Sequence, residues 1–115
     1  MNFELTDEQK AIKKAAREFA EGMFPEVAEE CDLNETFPRA LWKKACGLGF
    51  VGVFIDEAYG GPGLGILENV LIMEEFCRVD AGCAGVILTT LGSEFILLYG
   101  REEQKKKYLP PLATG

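Results

Sequence analysis

One non-helical stretch divides this chain, and the rest is arranged around it. Residues 48–65 carry an apolar run, Phe50 to Ile55, then Asp56 and Glu57, then a turn holding Tyr59, Gly60, Gly61, Pro62, Gly63 and Gly65. The run is rich in Phe, Val and Ile, which favour an extended backbone. No second strand-like run exists to pair with it, so the sequence predicts a buried extended connector between helical pairs. Its backbone polar groups then need partners. The glycine turn lacks the G-x-x-x-x-G-K-[ST] spacing and follows no strand of a βαβ unit, so a structural turn takes precedence over a phosphate cradle.

Both flanks read as helix. Thr6, Asp7, Glu8 and Gln9 have the capping-box spacing. Ile12, Ala16, Phe19 and Met23 form an amphipathic stripe. Pro25 is expected to end or bend this helix, with a further turn from Glu26 to Cys31. Pro38 suits the first position of a second helix whose apolar face is Leu41, Trp42, Ala45 and Cys46. Gly47 is expected to close it. A third helix spans about Ile66 to Val79, with Glu74 and Arg78 four apart in the order that favours an ion pair. A fourth spans about Cys83 to Tyr99 and is apolar nearly all round. Within it Gly85 and Gly92 fall on one face, where another backbone or a ligand can come close. A short helix over 101–108 is stopped by Leu109, Pro110 and Pro111. The expected fold is all-α: an orthogonal or up-down bundle of about six helices in one domain, 1–115, crossed by one extended segment, 48–65.

Composition excludes several classes of function. The formal net charge of −7 argues against nucleic-acid binding, which needs a basic face. The four cysteines, Cys31, Cys46, Cys77 and Cys83, form no C-x-x-C pair, and the chain has no histidine. A metal site and every Ser-His or Cys-His arrangement are therefore disfavoured, and buried free thiols are expected. Neighbouring carboxylates Glu74 and Glu75, like Glu102 and Glu103, point about 100° apart on a helix and cannot form a facing dyad. Glu94 stands on an apolar helix, where a structural use is preferred. The N-terminus is not a secretory signal. The longest apolar run, Val86 to Tyr99, is interrupted by polar residues, so no membrane span and a cytoplasmic location are expected.

Several of these pieces together resemble one family. Leu5 to Gln9 with Phe19 and Ala20, Phe37 and Pro38 with Leu48 and Gly49, Tyr59 to Leu64, Glu74 and Glu75 with Arg78 and Asp80, Leu91 and Gly92, and Gly100 to Leu109 occur in the order and spacing of the N-terminal helical domain of acyl-CoA dehydrogenases. The resemblance implies a flavin enzyme, with FAD, that oxidises an acyl-CoA thioester at its α and β carbons and passes electrons to an electron-transferring flavoprotein. It also implies that the middle β-domain, with most FAD contacts, and the C-terminal helical domain, with the catalytic glutamate, are absent. No residue here is then the catalytic base, and FAD is not expected to bind this chain alone. An isolated domain of this kind exposes apolar surface meant for its missing partners, so a homo-oligomer, a dimer or larger, is expected.

Within the family this domain supplies part of the acyl-pocket wall. Aligning on Leu91 and Gly92 places Cys83, Ala84, Ile87, Leu88 and Leu91 in that wall; the same residue types equally suit plain core packing. No Lys or Arg lies between Asp80 and Gly100, which disfavours a dicarboxylyl substrate. Phe95 stands where the family often has proline, and is expected to crowd the pocket floor. Arg101 stands where a capping Ser or Thr is common. Two alternatives share the fold: a flavin oxidase or monooxygenase, and a non-catalytic helical interaction module.

Overall fold

The computed structural model describes residues 2–88 and 92–115 in full, and the backbone of Leu91. Helix α1 (Asp7–Asn34) opens with the expected capping box. The Gln9 amide donates to the Thr6 hydroxyl at 3.2 Å, and the Thr6 amide donates to Gln9 Oε1 at 3.0 Å. Pro25 does not end the helix, which runs on past the further turn expected over Glu26 to Cys31. It removes one backbone donor. Its neighbour Phe24, however, is fully buried and packs edge-on against both Phe19 and Phe76. Tertiary burial therefore outweighs the local cost.

Helix α2 (Arg39–Gly47) has Pro38 as its N-cap. Its terminating glycine is Gly49, not Gly47. The Gly49 amide donates to the Cys46 carbonyl and the Phe50 amide to the Ala45 carbonyl, both at 3.0 Å. This paired closure needs a left-handed residue, and Gly49 supplies it with φ of 78°.

The crossing segment is buried as expected but is not extended. Val51, Val53 and Ile55 are wholly shielded from solvent. The chain bends and turns through them, with the Ile55 amide donating to the Gly52 carbonyl at 2.8 Å. It then folds back on itself. The Leu64 amide donates to the Val53 carbonyl at 2.9 Å, and the Gly63 amide to the Ile55 carbonyl at 2.8 Å. A strand needs a neighbouring strand; this segment finds its partners within its own loop. Between the two arms lies a 3-10 turn, Glu57–Tyr59. Gly61 makes the fold-back possible, because a Cβ there would sit 2.1 Å from the Ile55 carbonyl oxygen.

Four helices follow: α3 (Ile66–Val79), α4 (Ala81–Ile87), α5 (Leu91–Tyr99) and α6 (Glu102–Thr114). The single helix expected from Cys83 to Tyr99 is thus described as two, with Leu88 as the C-cap of α4. Thr89 and Thr90 lie outside the described residues. The 19 residues Ala81 to Tyr99 hold an 18-residue stretch with a mean hydropathy of 1.7, long and apolar enough to cross a membrane by length and composition alone. In the fold, α4 sits in the main core and α5 lies on α6.

Pro110 and Pro111 lie inside α6 and do not stop it. The carbonyls that lose donors belong to Lys106 and Lys107, on the exposed side, while Leu109 and Ala113 on the inner side are buried. The described residues thus form six α-helices and no strand, which bears out the all-α class.

Helices α1 and α3 run side by side in the same direction. Gln9 meets Glu68, Lys13 meets Glu74, Arg17 meets Glu75 and Glu21 meets Arg78, in step along both helices. The main core lies beneath them, where Phe19, Phe24, Phe50 and Phe76 pack with ring centroids 5.1–5.9 Å apart. A second, smaller cluster of Ile55, Leu109 and Ala113 joins α6 to the crossing segment. The molecule is a slab, 40 × 39 × 19 Å.

Candidate functional site

Asp80 organises the first half of the expected pocket wall. It caps the end of α3 and the start of α4, accepting the Cys83 amide at 2.7 Å. Helix α4 then turns Cys83, Ala84 and Ile87 into the main core, where Ala84 and Ile87 are fully buried. Leu88 is half-buried and packs against the same core. The side chain of Leu91 lies outside the described residues. The structure therefore brings Cys83, Ala84, Ile87 and Leu88 to one face of one element. That face packs against this chain's own helices.

A cleft of about 660 Å³ lies beside α4. Pro25, Ala28 and Cys31 of α1, Thr36 and Pro38 of the next loop, and Asp80, Gly82 and Val86 border it. Of the expected wall residues whose side chains are described, Cys83 alone reaches it. Burial, helped by the Asp80 carboxylate, pushes the Cys83 thiol up to about 11. It therefore stays protonated and behaves as a small apolar side chain. Cys46 is likewise buried, but Cys31 is half-buried and Cys77 is exposed, so burial does not hold for all four thiols. Among the described residues no three or more Cys, Asp or Glu converge as metal ligands.

A second groove, about 440 Å³, is apolar and lies between α1 and the crossing segment, lined by Ile12, Phe19, Leu48, Phe50, Leu64 and Ile72 among others. Sequence reasoning missed it. Its one visible signal is Leu48, an apolar residue just past the end of α2 that is left 57% exposed.

The glycine turn cannot cradle a phosphate. The amides of Gly60, Gly61, Gly63 and Leu64 all donate to main-chain carbonyls. A flavin dinucleotide thus finds no free amide nest at this turn, and the turn residues do not fit the role of its holder.

The strongest electrostatic feature was not legible in the sequence. Glu75 is 3% exposed and receives Arg17 Nε and Nη2 in a fork, both at 2.8 Å. Arg78 Nε donates to it at 3.2 Å, while Arg78 also reaches Glu21. Hydrogen bonds from Arg17, then Arg78, hold the Glu75 carboxyl down to about 2 against the opposing pull of burial. Glu74 pairs with Lys13 at 2.8 Å instead of with Arg78. The cluster clamps α1 to α3 and presents no free carboxylate. Glu94 is half-buried on α5.

The far side of the slab is different. On α5, Phe95, Leu98 and Tyr99 are 71%, 60% and 79% exposed. Phe95 therefore points outward in this chain. Among the described residues nothing lies within 4 Å of a Cβ built on Gly85 or Gly92, so none of them makes the expected close approach. Gly100 is needed after α5, since a Cβ there would lie 2.4 Å from the Ile96 carbonyl oxygen.

Comparison with known proteins gives this geometry a context. A family model described as acyl-CoA dehydrogenase, N-terminal domain, matches residues 6–115. The acryloyl-CoA reductase (NADH) of Anaerotignum propionicum is 40% identical over 116 residues, taking in 100% of this chain and 29% of that protein. A chain of the structure described as the electron transferring flavoprotein of Acidaminococcus fermentans is 40% identical with a TM-score of 0.85, over 100% of this chain and 31% of that one. The acyl-CoA dehydrogenase of Bacillus anthracis, solved with FAD, is 39% identical with a TM-score of 0.83, over 96% of this chain and 19% of that one. The chain spans about three tenths of the length of the curated relatives it matches. Matched along its length in sequence and in fold, the chain belongs to the acyl-CoA dehydrogenase family and corresponds to its N-terminal domain.

Proposed function

We propose that this chain is the N-terminal part of a larger flavin-dependent enzyme that introduces a double bond α,β to the thioester of an acyl-CoA and hands electrons to an electron-transferring flavoprotein. The observation that carries the reading is the family match over residues 6–115. The middle β-domain, the C-terminal helical domain, the catalytic carboxylate and the flavin contacts belong to polypeptide beyond this domain. No residue of this chain is assigned a proton-transfer role.

The domain's own contribution is apolar shape. Helix α4 and the start of α5 offer an acyl tail a wall without cations, which suits a hydrocarbon and not a distal carboxylate. Leu88 and Leu91 would meet the tail, with Cys83, Ala84 and Ile87 backing them from the core. The burial of those three supports a backing role and equally serves the bundle itself.

A second reading differs in direction. The reductase named above covers the whole chain at 40% identity. The same domain therefore suits an enzyme that reduces an enoyl-CoA.

The test is anaerobic mixing of the complete gene product with a straight-chain acyl-CoA. Bleaching of the oxidised flavin band, and none with a dicarboxylyl-CoA, is the expected result. A product that holds flavin but is bleached by no acyl-CoA contradicts the dehydrogenase reading. Turnover of NADH with acryloyl-CoA as the only productive assay selects the reductive direction.

A further inference from the structure

Two of the four thiols open onto one space. Cys31 and Cys83 both border the cleft of about 660 Å³ beside α4, whereas Cys46 is buried on α2 and Cys77 is exposed on α3. Helix periodicity aims the pair at that space. Phe24, Ala28 and Cys31 recur four and three apart, on the stripe that α1 turns inward. Cys83 and Ile87 are four apart on the inner face of α4. Helices α1 and α4 pack on each other directly. Helix axes packed about 8–10 Å apart leave facing Cα atoms about 4–6 Å apart, inside the roughly 7 Å limit for a disulfide. Burial, then the Asp80 carboxylate, then the Cys31 sulfur hold the proton on the Cys83 thiol, so the two sulfurs lie within electrostatic reach of each other.

The end of α1 can also give. It closes through Glu35, a residue with a side chain held at φ of 51°, in the left-handed region that favours glycine. Cys31 belongs to that closing turn, its carbonyl accepting the Thr36 amide at 3.1 Å.

We propose that Cys31 and Cys83 are a redox pair: a hydroperoxide in the cleft oxidises Cys31, and Cys83 then closes a disulfide that ties the end of α1 to the start of α4. In the first step the Cys31 sulfur takes one peroxide oxygen. The O–O bond breaks, the sulfur becomes a sulfenic acid, and the peroxide is reduced to water or an alcohol. In the second step the Cys83 sulfur attacks the Cys31 sulfur, the S–O bond breaks, and hydroxide leaves with the Cys83 proton as water. Two thiols have then given two electrons to one peroxide. Burial sets the order. Cys31 is half-buried at the cleft, while Cys83 is 4% exposed and waits as a thiol. Asp80, which accepts the Cys83 amide at 2.7 Å, stands beside the departing proton.

Peroxide titration of the complete gene product, read by differential alkylation and mass spectrometry, tests this. The expected result is a Cys31–Cys83 bridged peptide. Both thiols lose alkylation together, at least tenfold faster than Cys46, and dithiothreitol restores both. Cys83→Ala should leave Cys31 as a sulfenic acid trapped by dimedone. Cys31→Ser should leave Cys83 unoxidised at the same dose. Passage of Cys31 to sulfinic acid with Cys83 still free overturns the proposal. So does a bridge from either thiol to another cysteine or to a second chain, and so does resistance of both thiols to peroxide. The bridge map of the unaltered protein decides the matter even where Cys83→Ala does not fold.

Discussion

The two ends of this slab are built to different standards. At the α1–α3 end, four phenylalanines interlock, Phe76 is wholly buried, and the Glu75 clamp ties the helices along their length. At the α5–α6 end, three buried residues hold the layer, and the large aromatics point outward. Residue type does not explain the difference, since both ends carry aromatic rings and leucines. The difference lies in what each helix has to pack against. One end is a finished core; the other is half of one.

Substitutions should expose that contrast. The largest effect is expected at Phe76→Ala, which opens a cavity among three other rings and should cost about 4 kcal/mol in urea unfolding. Leu109→Ala, the centre of the smaller cluster, should cost about 3 kcal/mol. Its loss should appear as release of α5 and α6, ahead of the α1–α3 block, if the two cores are separable. A single transition seen identically from both ends would show one cooperative unit instead.

The clamp gives a pH-dependent test. The Glu75 carboxyl sits at about 2 in the folded chain against an ordinary 4.5. A depressed folded value means that its stabilisation is complete above about pH 4.5 and drains away as pH falls toward 2. Glu75→Gln should cost about 2 kcal/mol at neutral pH, a figure discounted because both arginines are half exposed. It should also flatten the loss of stability below pH 4.5. A variant that keeps the native acid profile would remove the clamp from the account. The smallest effect is expected at Phe95→Ser. That change should stay within about 0.5 kcal/mol in the 115-residue chain, because the ring is mostly in solvent already.

Much of this was readable from local chemistry. The Thr6–Gln9 capping box, the all-α class and the structural turn at Gly60 to Gly63 depend on neighbouring residues alone. The errors share a physical cause. Pro110 and Pro111 argue for a helix end by propensity, but they stand in a helix held by buried neighbours such as Leu109. The Phe50 to Ile55 run reads as extended because its residues favour strands, yet Gly61 lets the chain fold back and supply its hydrogen bonds locally. The Glu75 clamp joins residues 58 apart, a pairing no local rule reveals. Phe95 stands on a helix that reads as apolar nearly all round, and only the fold shows that its ring is left 71% exposed.

Native-state hydrogen exchange on the 115-residue chain tests the contrast most directly. The account predicts that the amides of Phe19, Phe24 and Phe76 exchange only through global unfolding, while those of Leu97 to Tyr99 exchange at least a hundredfold faster through local opening of α5. Uniform protection across both ends would contradict it, and would mean that α5 is complete as it stands.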